Sequence, residues 1–189
     1  MRKQWISRKK KSGTIAAALG AVGYSPFEVK AVYTDGGCVG RNPSPVGGTF
    51  AWCHVDRHDL RLHTDAGTLT PDKAFVHAVS SNLMELYALV NCLLALPNGW
   101  YGVVGVDSMI TIGRVFDSWQ LNQIPNWLIA LLGTAMRHVD IEKCKAVLLA
   151  GHPSRAELDV GFSKKRQLPV SIHNVWCDEA CNEQKRFFK

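Results

Sequence analysis

The amino-acid sequence predicts an α/β domain whose mixed five-stranded sheet, three antiparallel strands and then two parallel ones, is flanked by helices. Three observations carry this prediction. Three alternating segments joined by Gly, Pro and Asp-rich turns follow one another early in the chain, which is the pattern of an antiparallel meander. A helix-length apolar segment then leads into the β-branched run "WYGVVGVD", the composition of a strand covered on both faces. Two further helical segments separate that run from a last apolar strand, and strands that alternate with helices pair in parallel.

Taken in order, "FEVKAVYTD" (27–35), "GGTFAWCHVD" (47–56) and "LRLHTDAGTL" (60–69) are the three strands of the meander. "SSNLMELYALVNCLLALP" (80–97) is apolar nearly all round and stops at Pro97, so it is expected to be a buried helix. After the strand at 100–107, "SMITIGRVFDSW" (108–119) and "PNWLIALLGTAMRHV" (125–139) are helices, with Pro125 suited to a helix start. "KCKAVLLAGH" (143–152) is the last strand, 153–174 is expected to be a long polar loop, and "WCDEACNEQKRFF" (176–188) a C-terminal helix. Residues 1–27 read as a basic arm with one short helical turn around Ile15 to Ala21, ahead of a folded domain over 28–189.

With 47% hydrophobic and 20% charged residues in 189, the chain can bury a sizeable core without staples. Its net charge of +6 is unevenly placed: residues 1–27 carry six bases and no acid, which leaves 16 bases against 16 acids in the remainder. The arm is therefore what a polyanion would feel first. Six scattered cysteines without a CxxC pair fit reduced thiols better than a disulfide framework, which implies a cytoplasmic setting. The apolar stretch after the basic start is brief and interrupted by Gly20 and Gly23, short of the secretory pattern, and no segment approaches the ~20 apolar residues that span a bilayer. His173, Cys177 and Cys181 share a helical spacing but lack a fourth ligand for zinc.

Four carboxylates each admit a local reading. Asp35 before two glycines looks like a hairpin turn. Glu85 could close a capping box with Asn82, Asp107 could cap the next helix, and Asp178 could sit in the first turn of the last one. Geometry couples two of them: the helix from Glu85 to Pro97 climbs roughly 18 Å, and the strand from Gly102 to Asp107 returns ~17 to 20 Å. Glu85 and Asp107 thus finish at one end of the domain, where Asp35 can join them from a neighbouring strand. Converging carboxylates repel unless cations lie between them, and hard oxygen ligands suit Mg²⁺ or Mn²⁺.

In this order, "YTDGGC...RNPSPVGG", "SSNLMELYALVNCLLAL", "VGVDSMIT", "LLAGH" and "HNVWCDEACNE" resemble type 1 ribonuclease H over residues 30–185. The resemblance implies a ribonuclease H-like fold and a metal-dependent endonuclease that cuts the RNA strand of an RNA/DNA hybrid, acting as a monomer. It implies two Mg²⁺ ions, with Mn²⁺ able to substitute, held by Asp35, Glu85, Asp107 and Asp178, and it matches His152 to a mobile histidine that helps release product or shuttles a proton. His173 is the competitor for that role. Asn42 and Asn82 align with residues that read the minor groove of the hybrid, and Gly37, Cys38, Ser80, Ser81 and Asn174 complete the expected substrate-binding set. A side-chain amide can donate to and accept from a 2′-OH, which is what distinguishes RNA from DNA.

The chain departs from the pattern in places. Gly36-Gly37 stand for a glycine-serine pair, and their small size is expected to let the RNA backbone approach. Leu83 and Met109 replace a basic and a polar residue. "QLNQI" (120–124) is too short for the basic protrusion that some members use to grip substrate, whereas the 153–174 segment is long and carries "SKKRQ". Such an insertion is expected to bring Lys164, Lys165 and Arg166 to the nucleic-acid backbone.

Overall fold

Five strands form one sheet in the order β3–β2–β1–β4–β5: β1 (Val29–Cys38), β2 (Gly48–Asp56), β3 (Arg61–Leu69), β4 (Val103–Val106) and β5 (Lys145–Leu148). The structure is a computed structural model that describes residues 28–188; the basic arm and the helical turn expected around Ile15 to Ala21 lie outside the described residues. The β1/β2 and β2/β3 ladders are antiparallel and the β1/β4 and β4/β5 ladders parallel, the mixed sheet that the segment order predicts. The helices are α1 (Pro71–Ala74), α2 (Ser81–Leu94), α3 (Met109–Phe116), α4 (Asn126–His138), α5 (Arg155–Val160) and α6 (Ile172–Gln184).

Alternation along β1 divides the core. Val29 and Val32 join one buried cluster with Leu86, Leu89 and Leu93 of α2 and Leu128 and Leu132 of α4. Ala31 and Tyr33 pack on the opposite face with Cys53, Val55, Cys177, Ala180 and Cys181, where α6 lies. The near-complete apolarity of α2 follows from its position, because it is covered by the sheet on one side and by α4 on the other. Each of its fully buried leucines contributes about 1.5–3 kcal/mol. His173, Cys177 and Cys181 fall on the buried side of α6, and their spacing reflects packing: the Cys177 thiol lies 3.4 Å from the Tyr33 carbonyl and that of Cys181 3.4 Å from the Asp35 carbonyl.

Three expectations need correction. The 153–174 segment is not a loop: Ser154 and Glu157 form a capping box that starts α5, and a small hairpin of β6 (Phe162–Ser163) and β7 (Leu168–Pro169) follows. Next, α6 begins at Ile172, capped by Ser171, so Asp178 stands two turns inside it rather than in its first turn. Finally, Ser80 caps α2 by accepting from the Leu83 amide at 3.2 Å, which removes Asn82 and Glu85 from any capping box. The short α1 was not foreseen, although Pro71 in its first turn is a helix-start signal.

Candidate active site

The parallel register pairs Tyr33 with Gly105, and two residues further along each strand stand Asp35 and Asp107. Asp35 lies inside β1, opposite Ala51 of β2, so it is not the turn; the chain reverses over residues 39–47. Asp107 follows the last residue of β4 and does not cap α3, because Ser108 takes that role by accepting from the Thr111 amide. Glu85, one turn into α2, completes a cluster in which one carboxylate oxygen from each of Asp35, Glu85 and Asp107 lies within 4.8 Å of the others.

The electrostatics of this cluster are unfavourable as it stands. Burial, with Asp107 and Asp178 nearby, pushes Asp35 up to about 7, against the pull of the Gly36 amide, which donates to its Oδ1 at 2.8 Å. Burial, Asp107 and Asp35 push Glu85 up to about 9, opposed by the Ser108 hydroxyl. Asp107 is also raised, mainly by burial, while the Asn174 amide beside it works in the other direction. Its Oδ1 is buried without a hydrogen-bond partner. Packed carboxylates with an orphaned buried oxygen, and no softer donor among them, fit a hard divalent cation. Asp35, Glu85 and Asp107 could hold one.

Asp178 of α6 approaches from the face that Asp35 shares, accepts from Asn182 at 3.2 Å, and lies 3.3 Å from Nδ1 of His152. The imidazole of His152 is 74% exposed beside it. His173 is placed quite differently: it is 4% exposed, its Nε2 lies 2.9 Å from Asp59, and its ring packs on Tyr33.

The expected substrate-binding residues divide into two groups. Cys38, Asn42, Ser80, Ser81 and Asn82 come together around the N-terminus of α2: Cys38 Sγ donates to the Val79 carbonyl at 2.9 Å, and Asn42 Oδ1 accepts from the Ser81 amide at 3.1 Å. Asn82 is exposed there. Asn174 stands apart from them, 3% exposed in the first turn of α6 and turned to Asp107. The two glycines also differ. A Cβ on Gly36 would meet the backbone of Met84 and Glu85 at 2.4–2.5 Å, so Gly36 lets α2 seat Glu85 against β1 and has no room to offer a ligand. A Cβ on Gly37 meets nothing within 4 Å, so this glycine alone keeps the open surface expected of the pair.

Two contributors were missed in the sequence. Ser108 was visible only as the residue after Asp107, and Gly151 only as the residue before His152. A Cβ on Gly151 would lie 2.6 Å from Asp107 Oδ2, so the glycine permits close approach of the β5 end to the carboxylate.

No family model matches this chain, and no curated protein does. Solved structures do match. LC11-RNase H1, in a crystal structure with an RNA/DNA hybrid, is 16% identical, aligns over 83% of this chain and 96% of its own, and superposes with a TM-score of 0.57. The N-terminal RNase H domain of rv2228c from Mycobacterium tuberculosis, solved as a fusion with maltose binding protein, gives 0.53 at 16% identity, over 85% of this chain and 96% of that one. RNase H1 from the halophilic archaeon Halobacterium salinarum NRC-1 gives 0.52 at 17% identity, over 83% and 97%. The chain therefore has a ribonuclease H-like fold.

Proposed function

We propose that this chain is an endoribonuclease that hydrolyses the RNA strand of RNA/DNA hybrids and leaves 5′-phosphate and 3′-hydroxyl ends. The observation that carries the reading is the convergence of Asp35, Glu85 and Asp107 within 4.8 Å, with Asp178 beside them, on a ribonuclease H-like sheet. Those four carboxylates would hold two Mg²⁺ ions, or Mn²⁺ in their place. Bound ions of this kind supply charge stabilisation for an in-line phosphoryl displacement.

The chain's own residues have distinct tasks in this reading. Ser108 and Asn174 orient Glu85 and Asp107, and Gly36 lets α2 bring Glu85 into range. His152, exposed beside Asp178, would shuttle a proton or assist product departure. His173, bonded to Asp59 inside the packing of α6, is not suited to that task. Asn42 keeps its amide NH₂ for the substrate while its oxygen accepts from Ser81, and Asn82 offers donor and acceptor together to a 2′-OH. Gly37, Cys38, Ser80 and Ser81 would line the same groove.

The chain carries all four carboxylates itself, which suits action as a monomer, and the basic arm would add sequence-independent affinity. Among the described residues no helix is long and apolar enough to cross a membrane, and all six cysteines are free, which suits a cytoplasmic setting. The test is a substrate panel of end-labelled RNA/DNA hybrid, duplex RNA and duplex DNA, each with Mg²⁺, Mn²⁺ or chelator. Cleavage confined to the RNA of the hybrid, with 5′-phosphate products, is expected. Cleavage of duplex DNA instead points to a DNA-cutting nuclease on the same fold, and tight binding without cleavage to a binding module.

A further inference from the structure

We propose that Lys164 and Lys165, at the tip of the β6–β7 hairpin, bind backbone phosphates of the nucleic acid on the His152 side of the carboxylate site; this rests on the function proposed above. The hairpin is a built element. The Ser163 hydroxyl, 2% exposed as a residue, donates to Glu157 Oε1 at 2.5 Å, and Glu157 in turn accepts from the Ser154 amide at 2.8 Å. The tip is closed by the Gln167 amide on the Lys164 carbonyl at 2.6 Å and by the Arg166 backbone amide on Ser163.

Its location follows from two attachments. The Ala150 amide donates to the Pro169 carbonyl at 2.9 Å, so β7 runs beside the chain leaving β5. The Arg166 guanidinium donates to the Gly151 carbonyl, between Ala150 and His152. Gly151 is the residue that packs on Asp107. The tip is therefore held within one arginine side chain of the carboxylate cluster, on the flank opposite the Asn42 and Ser80–Asn82 group.

Charge identifies the occupant. Within the insertion Arg155 is paired with Asp159 at 3.3 Å, and Glu157 is occupied by the two serines. Lys164 and Lys165 are exposed, and neither ammonium has a partner among the described residues. Two unneutralised cations beside a site that must accept a phosphodiester backbone, next to four carboxylates that repel it, supply the local attraction that the carboxylates remove. The segment 117–125, between α3 and α4, holds no Lys or Arg and cannot serve this purpose.

The experiment measures binding of labelled hybrid to the whole chain in chelator, so that binding is not followed by cleavage, between roughly 50 and 200 mM salt. The proteins are wild type, K164A/K165A, K164R/K165R and, as a control at the start of β1, K30A. The double alanine variant should lower the slope of log K against log salt by about 1.4–1.8 and bind roughly 10- to 30-fold more weakly at 0.15 M salt, whereas the arginine pair and K30A keep the wild-type slope. A K164A/K165A slope equal to that of K30A, in a protein whose wild type cuts hybrid, overturns this inference alone and leaves the tip a solvated loop. A wild type that neither cuts nor binds hybrid overturns it together with the reading it rests on.

Discussion

The two ends of the central sheet are built to opposite rules. At the end where β1 begins, polar groups are closed off: the Trp100 indole N–H donates to the Val29 carbonyl at 2.9 Å, the Asp140 amide to the Trp100 carbonyl at 2.8 Å, and the Gly99 amide to the His138 carbonyl at 2.7 Å. His138 Nε2 lies 2.7 Å from the Leu96 carbonyl, a contact that only a protonated ring nitrogen makes. At the other end Asp35, Glu85 and Asp107 crowd within 4.8 Å, and Asp107 Oδ1 is buried with nothing to accept from. The same strands and the same helix α2 span both ends, so the contrast does not come from fold geometry. One end contributes stability, and the other gives some up to pack together carboxylates that could hold a cation.

That contrast can be broken most severely with Asp107→Asn. Cleavage of hybrid should fall by roughly 100- to 1000-fold, the scale on which loss of a group that stabilises transition-state charge is felt. Without metal the same variant should melt about 2–4 °C higher, because one of the mutually repelling carboxylates is gone and ~1 kcal/mol corresponds to such a shift. Trp100→Phe tests the closed end by deleting the donor to Val29, and a denaturant titration should show a loss of about 1–3 kcal/mol with cleavage per folded molecule unchanged.

Gly36→Ala strikes the joint between the two ends. Its methyl would press on the Met84 and Glu85 backbone, costing about 1–3 kcal/mol and displacing Glu85, so stability and cleavage should fall together. Gly37→Ala, into open space, should change stability by no more than ~0.5 kcal/mol.

The mildest perturbation is pH. Asp35 and Glu85 are raised to about 7 and about 9 in the metal-free fold, above their ordinary values, so the folded protein binds more protons than the unfolded chain through this range. Metal-free stability should therefore be fullest below about pH 4 as far as these groups are concerned, and decline as pH rises towards 9. Thermal melts in chelator should show that decline, with Glu85→Gln flattening its upper part. Added Mg²⁺ should raise the melting temperature more at pH 9 than at pH 5, since the ligands must be deprotonated to bind.

The sequence made the five strands legible because their patterns are set by burial, which alternation and β-branching report directly. It also carried the meeting of Glu85 with Asp107, since rise per residue determines where a helix and a strand finish. What escaped it were choices between neighbours of equal chemistry. Ser80 and Asn82 are both good caps, and only the chain's entry to α2 selects Ser80. Gly36 and Gly37 look interchangeable, yet the pleat turns one toward α2 and leaves the other open. The insertion looked like a loop because its elements are short, although Ser154 and Glu157 stand at capping-box spacing and were a readable signal of α5. Asn174 looked like the end of a loop because the polar run before it concealed the start of α6.

The open end of the sheet is proposed to be a metal-dependent site for cutting RNA in a hybrid. The direct measurement is cleavage of a labelled RNA/DNA hybrid by the wild-type chain and by Asp107→Asn, each with Mg²⁺ and with chelator. The wild type should cut the RNA only with Mg²⁺, and Asp107→Asn should cut it roughly 100- to 1000-fold more slowly. Cleavage that persists in chelator, cleavage by Asp107→Asn at the wild-type rate, or a wild type that binds the hybrid tightly and leaves it intact would contradict that assignment.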